Sequence, residues 1–208
     1  MVLAALLLFA GLRHLPVEIA VLAGVDVSLA AGTAPLAPAS DSGITDPRLL
    51  KQAGEAYLQT AIAAPATSRT AREAYQHSST LLQRSLAARP MDPYLWHRLA
   101  AVDYRRNDLI AAARDWRMSV ETGTFDPLLR SVRTQSGLTL WPYMDLAGRD
   151  AFARFLYAYW QRWPGELAEL AIRYQRQGIV LASLAPYPDA ASDMDRLFRF
   201  FHSQKTGG

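Results

Sequence analysis

The sequence predicts an all-α protein, and three observations carry that expectation. The 208 residues include 35 alanines and 20 arginines against two lysines, a composition that favours helix. Asp-Pro dipeptides at Asp46-Pro47, Asp92-Pro93 and Asp126-Pro127 each join a strong N-cap to the residue best tolerated at the first helical position. No stretch alternates apolar and polar residues for long enough to read as a strand. Half of the residues are hydrophobic, which at this length suffices for one core, so the chain reads as one domain or a domain with an appendage.

The amino-terminal 31 residues differ from the rest. Val2–Leu12 is an unbroken apolar run, Arg13-His14 interrupts it, and a second apolar stretch covers Leu15–Ala31. Eleven residues fall short of the roughly 20 needed to cross a bilayer about 30 Å thick. A single span over Val2–Ala23 would instead set Arg13, His14 and Glu18 at bilayer depth, where each is costly. Four readings stay open: a signal-peptide core with no preceding basic residue, a poor transmembrane anchor, an interfacial helix, or helices packed in protein. Membrane association through residues such as Leu6, Leu7, Leu8 and Phe9 leads among them. If the first run alone inserted, Arg13 would mark the cytoplasmic side. Residues 32–46 are rich in Gly, Pro, Ser and Thr without an apolar period, the pattern of a linker.

Helices follow near 47–64, 68–89, 93–106, 108–122, 127–138, 145–163, 165–178 and 190–203. The first, third and fifth open on the Asp-Pro dipeptides, Pro90 follows the second, and Asn107-Asp108 breaks the third from the fourth. Trp141-Pro142-Tyr143 reads as an inserted turn, and Pro164 opens the seventh helix. Ile179–Leu184 is too short for a strand assignment and reads as a helix extension or loop. Leu197, Phe198, Phe200 and Phe201 suit a final helix that closes an apolar face, and residues 204–208 read as a disordered tail.

Asp92-Pro93 and Asp126-Pro127 lie 34 residues apart, and the interval has internal order. Trp96, Leu99 and Ala100 share one face of the first helix, and Ala112, Trp116 and Ser119 share one face of the second. The second-helix triplet recurs as Ser78, Leu82 and Ser85 and again as Ala151, Phe155 and Ala158. This pattern resembles the tetratricopeptide repeat (TPR), in which small residues let paired helices approach while large ones fill the space between them. The resemblance covers roughly Arg69 to Pro164 and is clearest in the central 34 residues. Arg130, Arg133 and Thr134 depart from it, standing where a large residue, a Leu and a small residue are expected. It implies a TPR-like α-solenoid of antiparallel helix pairs over 47–203, preceded by the apolar leader. The whole layout also resembles envelope proteins of GC-rich proteobacteria, which implies a bacterial inner-membrane location. That likeness favours the periplasmic side, whereas Arg13 favours the cytoplasmic one.

Composition excludes several chemistries. There is no cysteine, hence no disulfide, thiolate metal site or thiol nucleophile. His14, His77, His97 and His202 lack metal-ligand spacing, and no phosphate-cradling glycine motif or nucleophile elbow occurs. A formal net charge of +3, evenly spread, does not argue for nucleic acid. No cofactor or metal is expected. Asp103, Asp108, Asp115 and Glu121 alternate with arginines at the spacing of a solvated helix face.

The repeat resemblance implies a groove lined by Tyr94, His97, Ala101, Tyr104 and Arg105, with Arg130 or Arg133 added from the next pair. Trp160 and Trp163, in an aromatic-rich stretch that also contains Tyr159 and Arg162, extend the candidate partner surface because Trp, Tyr and Arg are enriched at interface hot spots. The expectation is a non-enzymatic scaffold or adaptor that supports a cell-envelope membrane complex. A permanently bound accessory subunit is the alternative, and an envelope polysaccharide-processing enzyme the third.

Overall fold

A computed structural model describes residues 44–124 and 126–206, and these are all-helical: nine α-helices, one 3₁₀ turn and no strand among the described residues. The apolar leader with Leu6, Leu7, Leu8 and Phe9, and most of the linker, lie outside the described residues. No helix among the described residues is long and apolar enough to cross a membrane. The helices divide into two compact units at Arg89/Pro90.

The described part of the first unit is a helix hairpin, α1 (Pro47–Ala63) and α2 (Arg69–Ala88). Asp46 caps α1 by accepting from the Arg48 amide, and Ser68 caps α2 through the Ala71 amide, each such cap being worth about 1 kcal/mol. Leu50, Leu58, Leu81, Leu82 and Leu86 are buried. Gly54 permits the close approach of the two helices, since a Cβ there would lie 3.0 Å from Leu82 Cγ. Ser78 and Ser85 are buried and donate to the carbonyls of Gly54 (2.8 Å) and Pro47 (2.7 Å). The second bond uses a carbonyl whose helix begins at that residue.

The second unit opens on another hairpin, α3 (Pro93–Arg105) and α4 (Leu109–Thr122). Asp92 accepts from the Tyr94 and Leu95 amides, and Asp108 from the Ala111 amide. The turn between them places Asn107 at φ 62°, with its amide and that of Asp108 bonded back to the carbonyls of Tyr104 and Asp103. Asparagine tolerates that left-handed geometry, which is why Asn107-Asp108 breaks the helix. Ser119 donates to the Pro93 carbonyl at 2.7 Å, repeating inside this hairpin the Ser85–Pro47 bond of the first.

Beyond it come α5 (Arg130–Leu140), the 3₁₀ turn Trp141–Tyr143, α6 (Leu146–Trp160), α7 (Pro164–Arg173), α8 (Gln177–Leu184) and α9 (Pro188–Thr206). Several expected boundaries move. Helix α6 ends at Trp160 where 163 was expected, and α9 covers Pro188–Thr206 where 190–203 was expected, so it includes 204–206 of the expected tail. Two further shifts have visible causes. Asp126 accepts from the Leu128 amide, but this caps a turn and α5 starts only at Arg130. The helix expected over 165–178 ends at Arg173, because Gln175 adopts φ 54° and the Gln175 and Arg176 amides return to the carbonyls of Ile172 and Ala171. Ile179–Leu184 then falls in the separate helix α8. Leu197, Phe198 and Phe201 pack on the core while Phe200 is exposed.

The core of this unit is centred on Trp116, which meets Phe152 (5.4 Å between ring centroids) and Phe155 (6.1 Å) edge-on. Gly137 on α5 makes that cluster possible. A Cβ there would lie 2.6 Å from Phe152 and 2.7 Å from Trp116, closer than atoms can pack.

Candidate binding site

Two neighbouring arrangements arise where α5 meets the ends of its partners. In the first, Arg133 of α5 is fully buried and spends its guanidinium on α4: Nε donates to Ser119 Oγ (3.0 Å), and the two terminal nitrogens donate to the Gly123 and Ser119 carbonyls. Ser119 passes the network on to Pro93 at the start of α3. Burial pushes Arg133 down to about 10, opposed by the charge of Asp126 and by Tyr94. Burial also pushes the Tyr94 hydroxyl up to about 12, helped by its hydrogen bond to Asp126. His97 lies in the same interior, 2% exposed, with neither ring nitrogen hydrogen-bonded. Burial, followed by Arg133 and Arg98, pushes it down to about 3, so it is neutral at physiological pH.

The second arrangement is a pocket of about 180 Å³. Its lining comes from α6 and the residues just beyond it (Phe155, Ala158, Tyr159, Arg162 and Trp163) and from the segment that leads into α5 (Thr124, Asp126, Pro127 and Arg130). Arg130 organises it. Its Cζ lies 3.8 Å from the Trp163 ring centroid and 5.2 Å from that of Tyr159, and Nη2 donates to both oxygens of Glu166 at 2.9 and 3.2 Å. Ser131 adds a third bond to Glu166 at 3.2 Å. Burial alone would raise the Glu166 carboxyl, but the neighbouring Tyr159 hydroxyl and Arg130 outweigh it and hold it below the usual carboxylate range. Burial, and then Glu166, push the Tyr159 hydroxyl up to about 12, so it stays protonated at neutral pH. Trp163 is 40% exposed and Leu128, next along the chain from Pro127, is 78% exposed, so large apolar groups remain in solvent beside the lining.

The sequence-predicted residues divide between these arrangements and the rest of the unit. Tyr94 and Trp163 stand at them, Tyr94 through Asp126 of the lining and Trp163 as a wall. His97 differs from the groove-facing expectation: it is buried, on the face of α3 that it shares with Ala100 one turn on. Ala101 is buried with it. Tyr104 and Arg105 are half-buried at the far end of α3, roughly 15 Å from Tyr94 at 1.5 Å per residue, and Tyr104 packs against the core. Trp160 is held by internal contacts: its indole N–H donates to Asp193 at 2.9 Å, and its ring stacks on Tyr157. Glu166 is the residue that sequence reasoning missed. Its only signal was a carboxylate in the first turn of α7, where it favours the helix dipole.

Among the described residues no group of three or more His, Asp or Glu side chains is placed to hold a metal ion. Comparison of the chain with protein-family models, with curated proteins and with solved structures finds no match.

Proposed function

We propose that the chain is a non-enzymatic scaffold that takes a segment of a partner protein at the Arg130–Tyr159–Trp163 pocket, on a frame of TPR-like helix pairs. The pocket carries this reading. At about 180 Å³ it is smaller than the ~300–1,000 Å³ typical of small-molecule and cofactor sites, and it suits one anchoring side chain. Trp, Tyr and Arg form its walls, the residue types that dominate binding energy at protein interfaces. Asp126 of the lining already has partners in Tyr94 and the Leu128 amide, and Glu166, outside the lining, has them in Arg130 and Ser131. Such an arrangement favours a rigid, pre-organised surface. The helix-pair frame is supported by the two hairpins, each tied by a second-helix serine to the carbonyl of a first-turn proline. A role in a cell-envelope membrane complex rests on the apolar sequence of residues 1–31.

A photo-crosslinking residue placed at Leu128 in the full-length chain tests this reading. The expected result is an adduct with one discrete protein, absent when the same residue replaces Ile110, which is equally exposed on α4. No adduct at either position, or the same adduct at both, contradicts it.

A further inference from the structure

A different cluster lies inside the α3–α4 hairpin, and the pocket does not use it. Asp103 of α3 and Asp115 of α4 are buried, at 4% and 0% exposure, and their carboxyl groups act directly on one another across the helix pair. Each has one arginine close by in sequence, Arg106 at the end of α3 and Arg114 within α4. Arg106 donates to Asp103 Oδ1 at 3.2 Å, and Arg114 to Asp115 Oδ1 at 2.9 Å, both from the solvent side. The remaining oxygen of Asp115, Oδ2, is buried and has no hydrogen-bond donor.

Ionised carboxylates carry only acceptors, so two of them facing each other cannot satisfy that oxygen. One bound proton can, by turning one partner into a donor and removing the like-charge repulsion. The other charged groups that act on the pair come from the same hairpin: Arg106 and Arg114 favour ionisation, and Asp108 at the start of α4 opposes it. We propose that Asp103 and Asp115 hold one proton between them in mildly acidic solution, and that its release as the pH rises loosens the α3–α4 hairpin.

The direction follows from where the proton is held more tightly. Burial is the largest cause acting on Asp115 and pushes it up to about 6, with Asp103 adding to the effect and Arg114 opposing it. Burial likewise raises Asp103. An unfolded aspartate titrates near ~3.9, so the pair's contribution is complete below that pH and is lost as the pH rises through about 6. His97, the buried imidazole of α3, stays neutral in the folded chain across this window but takes up a proton below 6.5 once unfolded. Its own effect on stability therefore runs opposite to the pair's and is common to wild type and D115N.

Carboxyl ¹³C resonances of the full-length wild-type chain, followed against pH and assigned with D103N and D115N, test the proposal. One aspartate step near pH 6 is expected, and it disappears in D115N. In D115N the amide supplies the missing donor at every pH. Its folding equilibrium relative to wild type is therefore expected to improve by roughly tenfold or more between about pH 5 and about pH 8. The proposal is overturned if every aspartate carboxyl titrates below about pH 4.5. It is equally overturned if the D115N difference is the same at both pH values. Should D115N fail to fold, the wild-type titration decides alone.

Discussion

Replacing Trp116 with alanine is expected to lower the stability of the 90–208 unit by about 3–5 kcal/mol, the range for removing a fully buried large aromatic. Three losses combine. The ring contacts with Phe152 and Phe155 disappear, the indole N–H no longer donates to the Arg133 carbonyl at 2.9 Å, and a cavity opens in the centre of the core. The cavity does not close easily, because the α5 residue facing it is Gly137, which has no side chain to fill the space. Domains of this size have a total stability of about 5–15 kcal/mol, so the change consumes a large part of it. Denaturant unfolding checks the prediction: the midpoint falls while the slope stays near that of wild type. A loss under about 1 kcal/mol would mean that the core does not depend on Trp116 as its geometry indicates.

Arg133→Met is expected to cost about 3 kcal/mol, through polar connection rather than volume. Methionine roughly fills the space but leaves the Ser119 and Gly123 carbonyls without their guanidinium partner. Each buried group left unsatisfied costs about 1–3 kcal/mol, and relief from burying a cation offsets part of the total. Arg133→Lys should recover only a fraction, because an ammonium cannot reproduce the fork that spans Ser119 Oγ and two carbonyls. Equilibrium unfolding of the two variants against wild type reads both effects. Equal stability of the Arg133→Lys variant and wild type would show that charge alone, without the fork, holds α5 to α4.

These two residues also show what could be read from the amino-acid order. Trp116 belongs to a spaced triplet with Ala112 and Ser119, and all three are buried. Local rules of this kind carried most of the helix layout: Asp46, Asp92 and Asp108 cap helices, and Asn107 takes the left-handed turn. Where the rules fell short, the deciding contact was distant in sequence or atypical in type. Gln175 fills a left-handed turn position usually given to glycine or asparagine, so nothing local announced the break between α7 and α8. Arg133 stood as a departure from the repeat pattern, yet it occupies a core position because carbonyls 10 and 14 residues away receive its guanidinium. Asp103 and Asp115 fitted a solvated face by spacing and are nevertheless buried against each other. The aromatic stretch Tyr159–Trp163 and Arg130 were visible as candidates. Their convergence depended on Glu166, 36 residues beyond Arg130, which fixes the guanidinium over Trp163.

Co-purification of the full-length chain from its native cells, comparing wild type with Trp163→Ala, tests the proposed binding role most directly. Trp163 is 40% exposed and contributes a wall of the pocket, so its removal strips the surface while sparing the buried core. Wild type is predicted to recover one protein in stoichiometric amount. Trp163→Ala is predicted to reduce that recovery roughly tenfold or more, as expected for loss of an interface hot spot, and Ile110→Ser to leave it unchanged. Recovery of the same partner, in the same amount, by Trp163→Ala would contradict binding at this pocket.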